Sequence, residues 1–293
     1  MSENYSPLRY PGGKSKLAPL IKYIISDKSD SEINTYIEPF AGGAGVALDL
    51  LLTDFVENII INDYDKAVYS FWKAIITEPQ RFIDKIDTTI LNVDEWRRQK
   101  EIYLYQRNRY SFELGFATFY LNRTNRSGIL TAGPIGGYEQ NGNYLIDARF
   151  NKEALIERIH RIAHRRKNIK VYNKDIRSFI KLISPDRQRK SFIYFDPPYY
   201  VKGKELYRNF FMPKDHQKIH NDIKESIYCP WIMTYDNEKS IEELYSEYSM
   251  KEYELIYSLA NKGKSSELII FSSNSLCPSN TELEKAGLKI KLS

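Results

Sequence analysis

The 293-residue sequence predicts an α/β fold. The expected architecture is a largely parallel sheet covered by helices on both faces. Its last strand is antiparallel, and an inserted, mainly helical subdomain carries a β-hairpin. Three observations carry this expectation. Short β-branched and aromatic runs alternate with helical patterns, the signature of strand–helix–strand units. The alternation fails between residues 62 and 169. The last two strand-like runs are joined too tightly for a crossover helix.

Strand patterns fall at 35–38, 58–62, 169–173, 191–195, 231–235, 253–258 and 267–272, each ending in or followed at once by a polar or acidic residue. Helical periodicity separates most of them, at 15–25, 44–52, 67–76, 153–164, 176–183, 215–226 and 239–245. The link Asn261-Lys262-Gly263-Lys264 predicts an antiparallel hairpin at one end of the sheet. Inside the interruption, 94–105 and 112–121 read as helices, and a glycine-rich piece runs from Gly133 to Gly142. Asn141-Gly142 between apolar runs is a hairpin signal. The expected division is an insert over 78–165 in a body made of 1–77 and 166–293.

Composition excludes several classes of protein. With 42% hydrophobic and 28% charged residues, the chain is ordinary for a globular protein and not for a disordered one. Two cysteines, Cys229 and Cys277, cannot supply a disulfide framework or a cysteine zinc site. No apolar run reaches the ~20 residues of a membrane helix, and the polar N-terminus lacks a signal-peptide core. A cytoplasmic setting is expected. Net charge is +5, concentrated in residues 66–168, which hold 18 Lys and Arg against 11 Asp and Glu. On charge alone, a polyanion-binding segment and a solvated basic face both remain open.

Two motifs carry chemistry. Glu38-Pro39-Phe40-Ala41-Gly42-Gly43-Ala44-Gly45 joins the first strand to a helix. Its glycines allow a tight turn and close ligand approach, and a helix N-terminus favours an anion. Asp63 ends the second strand, where a carboxylate can accept from ribose hydroxyls. Together they fit an adenosine-type cofactor, leaving nicotinamide cofactors and S-adenosylmethionine both open. The second motif is Asp196-Pro197-Pro198-Tyr199, ending the strand at 191–195. Two prolines make a rigid exit that aims the Asp196 carboxylate and the Pro197 carbonyl at one point. Two acceptors match the two donors of an exocyclic amino group such as adenine N6. Tyr199 offers a face on which a flipped base can stack.

On these strings the sequence resembles the Dam-type (D12 class) family of DNA adenine-N6 methyltransferases. Tyr10-Pro11-Gly12-Gly13-Lys14 is similar to that family's first motif. Tyr120-Leu121-Asn122-Arg123-Thr124-Asn125-Arg126-Ser127-Gly128 is similar to a segment of its DNA-recognition insert. The resemblance covers the chain from Leu8 to Asn274. It implies a Rossmann-like S-adenosylmethionine-dependent methyltransferase sheet and methylation of adenine in double-stranded DNA, with no metal and no membrane. It also implies roles for particular residues. Tyr10, Lys14, Phe40, Gly42, Asp63, Asp175 and Asp196 would contact S-adenosyl-L-methionine. Asp196, Pro197 and Tyr199 would hold the target base. Asn122, Arg123, Asn125 and Arg126 would face nucleic acid. Relatives that methylate GATC carry an aromatic residue and Asn-Gly after the Asn-Arg pair. This sequence departs from that pattern, which leaves its target open.

Residues 199–207, with Lys202, Gly203 and Lys204, suit a loop closing over a base and equally a solvated one. Residues 158–167 are basic and partly amphipathic, and fit either a DNA-backbone contact or a solvated helix face. His160, His164, His216 and His220 form two i,i+4 pairs with no acidic partner at ligand spacing, so no metal is expected.

Overall fold

A computed structural model describes residues 5–9, 14–29, 32–106, 108–200, 211–255 and 267–293. Eight strands form one sheet in the order β3-β2-β1-β4-β5-β7-β6-β8. They are β1 (Thr35–Glu38), β2 (Asn58–Asn62), β3 (Ile169–Tyr172), β4 (Ser191–Phe195), β5 (Trp231–Asp236), β6 (Ser249–Leu255), β7 (Glu267–Phe271) and β8 (Ile290–Leu292). β4 pairs in parallel with β1 and with β5, in registers that include Ile37↔Ile193 and Phe195↔Met233. β5–β7, β6–β7 and β6–β8 are antiparallel. The mixed sheet with antiparallel C-terminal strands is the one the sequence predicts. β4 and β5 are buried along their whole length, which is why they read as nearly unbroken apolar runs.

The helices are α1 (Ala18–Tyr23), α2 (Gly45–Leu52), α3 (Lys66–Thr77), α4 (Pro79–Thr88), α5 (Val93–Gln106) and α6 (Phe112–Thr124), followed by α7 (Lys152–His164), α8 (Ile176–Leu182), α9 (Pro185–Gln188), α10 (Pro213–Ser226), α11 (Lys239–Leu244) and α12 (Asn280–Lys285). The helix expected over 15–25 is a composite of a 3₁₀ turn, α1 and a π turn. β6 begins earlier than the pattern suggested, and 256–258 and the 261–264 link lie outside the described residues. β8 was not expected. Its three residues are too few to show alternation, and a side chain completes it: Asn280 bonds both the N–H and the C=O of Leu292, at 2.9 and 2.7 Å.

The β-hairpin expected at Asn141-Gly142 is absent, and residues 135–149 form turns. A side chain takes the place of cross-strand bonds. The Gln140 amide donates to the carbonyls of Ile135 and Gly137 at 2.8 and 2.6 Å, and its Oε1 accepts from Ile146 N–H at 2.9 Å. Local side-chain-to-backbone bonds of this kind compete with a ladder.

The chain divides into two compact units. The first comprises 1–15, 41–54 and 60–173, and so contains all of 78–165. Its centre is α6, buried on nearly every side, with a Ser111 N-cap that accepts from Leu114 N–H at 3.0 Å. Phe119 of α6 meets Phe71, Phe82 and Phe150 at centroid distances of 5.9, 5.4 and 5.3 Å. α2 is also buried almost throughout. The second unit comprises 16–40, 55–59 and 174–293. In it Tyr36 of β1 stacks on Phe192 of β4. α8 is tied to α10 by Arg177 and Asp222, with Nε to Oδ2 at 2.5 Å and Nη2 to Oδ1 at 3.1 Å.

α6 approaches α3 through Gly115. A Cβ there would lie 2.5 Å from the Ser70 carbonyl oxygen, a contact that only backbone movement relieves. Gly115→Ala should therefore destabilise the protein by about 1–3 kcal/mol despite alanine's better helix propensity. Urea unfolding of the variant beside wild type measures it.

Candidate active site

The glycine turn precedes α2 in the first unit. Gly42 and Ala44 both take left-handed conformations, at φ 46° and 47°. A glycine is at ease there and an alanine is strained, so the surroundings must fix the turn. They do so from several sides. The Asp63 carboxylate accepts from Gly42 N–H and from Asp65 N–H, each at 2.9 Å. Trp72 Nε1–H donates to the Gly42 carbonyl at 2.9 Å, and Ser6 Oγ donates to the Gly43 carbonyl at 2.6 Å. Asp63 is half-exposed as a residue. Burial, with the neighbouring Asp65 charge, raises its carboxyl to about 7 against the pull of the two N–H donors. The sequence leads to an expected ribose contact for Asp63; the structure shows it bracing the glycine turn. Tyr10 lies outside the described residues, and Lys14 is half-buried just before the 3₁₀ turn at Ser15–Leu17.

The second constellation lies in the second unit, at the carboxyl edge of β1, β4 and β5. In open α/β sheets this is the edge where ligands bind. The parallel registers bring Glu38, Asp196 and Asp236 to it. β7 runs the other way, so its first residue, Glu267, arrives at the same edge opposite Asp236. Thr234 Oγ1 donates to Asp196 Oδ1 at 2.8 Å, and Tyr194 Oη lies 2.8 Å from Thr234 Oγ1. Threonine has one hydroxyl proton and spends it on the carboxylate, so Tyr194 is the donor in the second bond. Burial, followed by the Asp196 charge, raises the Tyr194 hydroxyl well above its ordinary range, which keeps that donor protonated. Pro197 is buried and Tyr199 half-buried. Tyr199 Oη donates to Glu267 Oε1 at 2.8 Å, while Tyr253 Oη bonds the other Glu267 oxygen. Tyr200 N–H donates to Asp236 Oδ1 at 2.8 Å and anchors the far side of the turn.

Phe40 leaves β1 as Asp196 leaves β4, and its ring meets Phe211 at 6.0 Å. Asp175 is the N-cap of α8. It accepts from Ser178 N–H at 3.1 Å, and hydrogen bonding from Ser178 leads the lowering of its pKa. Sequence reasoning missed Thr234, Asp236, Tyr253 and Glu267. Asp236, just after the run 231–235, and Glu267, opening the run 267–272, held the signal for two of them, but only the strand register shows that they meet.

The four residues expected at nucleic acid separate into two pairs. Asn122 and Asn125 are 3% and 0% exposed. Asn122 clasps the Arg9 backbone, accepting from its N–H at 2.7 Å and donating to its C=O at 2.9 Å, and also donates to Gly128 C=O at 2.9 Å. Asn125 accepts from Trp96 Nε1–H at 2.6 Å and donates to Ile129 C=O at 2.8 Å. Both carboxamides are committed to bracing, which leaves them no base edge to read in this conformation. Gly128, at φ 75°, completes the brace, since a Cβ there would lie 2.4 Å from the Arg9 carbonyl oxygen. Arg123 is half-buried, and Arg126 is exposed. Among the described residues no group of three or more His, Cys, Asp or Glu is gathered as for a metal ion, and no helix is long and apolar enough to cross a membrane.

Sequence comparison identifies the class. The family profile described as D12 class N6 adenine-specific DNA methyltransferase matches residues 10–259, so the chain belongs to that family. With membership comes the activity of the class, methylation of adenine N6 in DNA. Among individual relatives, it is 26% identical over 205 residues to the Type II methyltransferase M.MjaIII of Methanocaldococcus jannaschii, covering 66% of this chain and 68% of the relative. It is 25% identical over 201 residues to the Type II methyltransferase M1.LlaDCHI of Lactococcus lactis subsp. cremoris, covering 65% and 64%. The solved rRNA methyltransferase aviRa from Streptomyces viridochromogenes matches at 12% identity and a TM-score of 0.40, covering 91% of this chain and 88% of its own. A likeness at that level has no bearing on function.

The raised Asp63 carboxyl has a consequence for stability. An acid that the fold keeps protonated binds its proton more tightly folded than unfolded. Its contribution is full below the ordinary aspartate range and is lost as pH rises to about 7. Asp63→Asn should therefore lose less stability than wild type between about pH 4 and about pH 7. Denaturant titrations across that range check the expectation.

Proposed function

We propose that this chain methylates N6 of an adenine flipped out of double-stranded DNA, at a specific sequence, with S-adenosyl-L-methionine as donor. The observation that carries the reading is the Asp196 turn, held by Thr234 on one side and, through Tyr199 and Tyr200, by Glu267 and Asp236 on the other. The carboxylate edge suits a cofactor that offers an amino group, hydroxyls and a sulfonium charge. Tyr10, Lys14, Phe40, Gly42, Asp63, Asp175 and Asp196 would bind it, following the family pattern. When bound, S-adenosylmethionine supplies an electrophilic methyl group and leaves as S-adenosylhomocysteine.

The chain's own residues then position and polarise. Asp196 and the Pro197 carbonyl accept the two N6 hydrogens, which directs the nitrogen lone pair toward the methyl group. Tyr199 stacks on the base, and its hydroxyl is fixed by Glu267. As the N–C bond forms, N6 becomes acidic and its proton leaves late, to water. Asp196 acts through charge and geometry rather than as a strong base. Residues 78–165 would supply target recognition, with Arg126 the exposed side chain best suited to reach a base edge or a phosphate.

Asp196→Ala should lower methyl transfer to duplex DNA by at least ~10²-fold, the scale for one preorganised polar group. Tyr199→Phe should be milder than Tyr199→Ala because the stacking face remains. Single-turnover transfer of labelled methyl groups measures both, and near-normal turnover by Asp196→Ala would refute the assignment. For Arg126→Ala, a base-reading role predicts a loss of ~1–3 kcal/mol at one position of the site. A phosphate role predicts uniform weakening and a salt slope lower by about one. Methylating a random duplex pool at several salt concentrations separates them; a folded variant unchanged in both removes Arg126 from the interface.

A further inference from the structure

The Arg9 and Arg123 guanidinium groups sit at the C-terminal end of α6, near enough to Arg149 and Arg158 for both to act on the Arg123 charge. Arg123 donates from Nε to the Arg149 carbonyl at 2.7 Å. Arg9 is pinned beside α6 by the Asn122 clasp on its backbone, and its Nη1 donates to the Asn125 carbonyl at 3.4 Å. Arg158, on α7, donates from Nη1 to the carbonyl of Ser6 at 3.1 Å. All these bonds run to carbonyl oxygens. Arg9, Arg123 and Arg149 form no ion pair among the described residues.

The four charges act on one another. Burial pushes the Arg123 guanidinium down to about 9, and Arg158, Arg9 and Arg149 push in the same direction. Arg9 is lowered by burial and then by Arg149. Like charges gathered in a partly desolvated place strain the free protein, and an arriving anion relieves the strain. Arg149 is exposed and the other three are half-buried, so the cluster opens to solvent on the Arg149 side. A planar guanidinium fork matches the paired oxygens of a phosphate. Beside it, Arg149 stands 6.0 Å from the ring of Tyr144, which is 67% exposed.

We propose that Arg9, Arg123, Arg149 and Arg158 form one seat for a backbone phosphodiester of the target duplex. This rests on the DNA methyltransferase reading and adds to it a contact that fixes the position of the duplex without reading its sequence. The cluster would hold the strand in place while specificity is set elsewhere.

Arg149→Gln is the variant that keeps the fold, because the group Arg123 bonds is the Arg149 backbone carbonyl. Duplex binding is measured by fluorescence anisotropy over a salt series, with site preference read from a methylated random pool. Arg149→Gln should lower the slope of log affinity against log salt by about one and leave the order of preferred sites unchanged. Arg123→Gln should lower the slope similarly. A slope equal to wild type in both folded variants overturns the proposal. So does a changed site preference in Arg149→Gln, which would make that residue a base reader. If wild type itself neither binds duplex DNA nor methylates it, the methyltransferase reading falls and takes the seat with it. An active wild type with indifferent variants removes the seat alone.

Discussion

The constraint on which the candidate active site depends is the register of three parallel strands. Side chains on a strand alternate between faces, so a slip of one residue turns every side chain over. With Ile37 opposite Ile193 and Phe195 opposite Met233, Asp196 emerges beside Thr234, whose only hydroxyl proton is available to it. One residue either way would set Asp196 beside Met233 or Tyr235. The register is in turn secured by burial. β4 and β5 are apolar on both faces, and stacks such as Tyr36 on Phe192 leave no equivalent alternative alignment. The polar chain Tyr194–Thr234–Asp196 thus owes its geometry to residues with no polar role.

Reversal of the last strands extends the same edge. A parallel strand contributes only its C-terminal end to the carboxyl edge, whereas an antiparallel neighbour contributes its beginning. β7 brings Glu267 there from late in the chain, and β6 brings Tyr253 opposite it. One carboxylate then fixes two tyrosines, including the one proposed to carry the base.

What the sequence showed and what it hid follow from range. Seven of the eight strands were legible because most are short, largely buried apolar runs bounded by polar residues. Asp196-Pro197-Pro198-Tyr199 was legible because proline writes a rigid turn into the sequence itself. Thr234 and Glu267 were not, since their roles come from cross-strand neighbours that no local pattern encodes. Asn141-Gly142 misled because turn chemistry was read without Gln140, whose side chain satisfies the backbone that a hairpin would have paired. Motif position alone points Asn122 and Asn125 toward DNA. Their burial and their bonds to the Arg9, Gly128 and Ile129 carbonyls give them a bracing role that composition could not reveal.

The bond from Trp72 to the glycine turn makes one side chain into an instrument. The indole is 1% exposed, and its Nε1–H points at the carbonyl of Gly42, whose own N–H is held by Asp63. Indole emission responds to the electric field along the ring. The two bonds fall on successive peptide groups that meet at the Gly42 Cα, the carbonyl taken by the indole and the N–H by the Asp63 carboxylate. A change of charge at Asp63 therefore has one residue, Gly42, to cross before it reaches the indole. Its emission, separated from that of Trp96 and Trp231, is a local probe of the glycine turn that needs no added label.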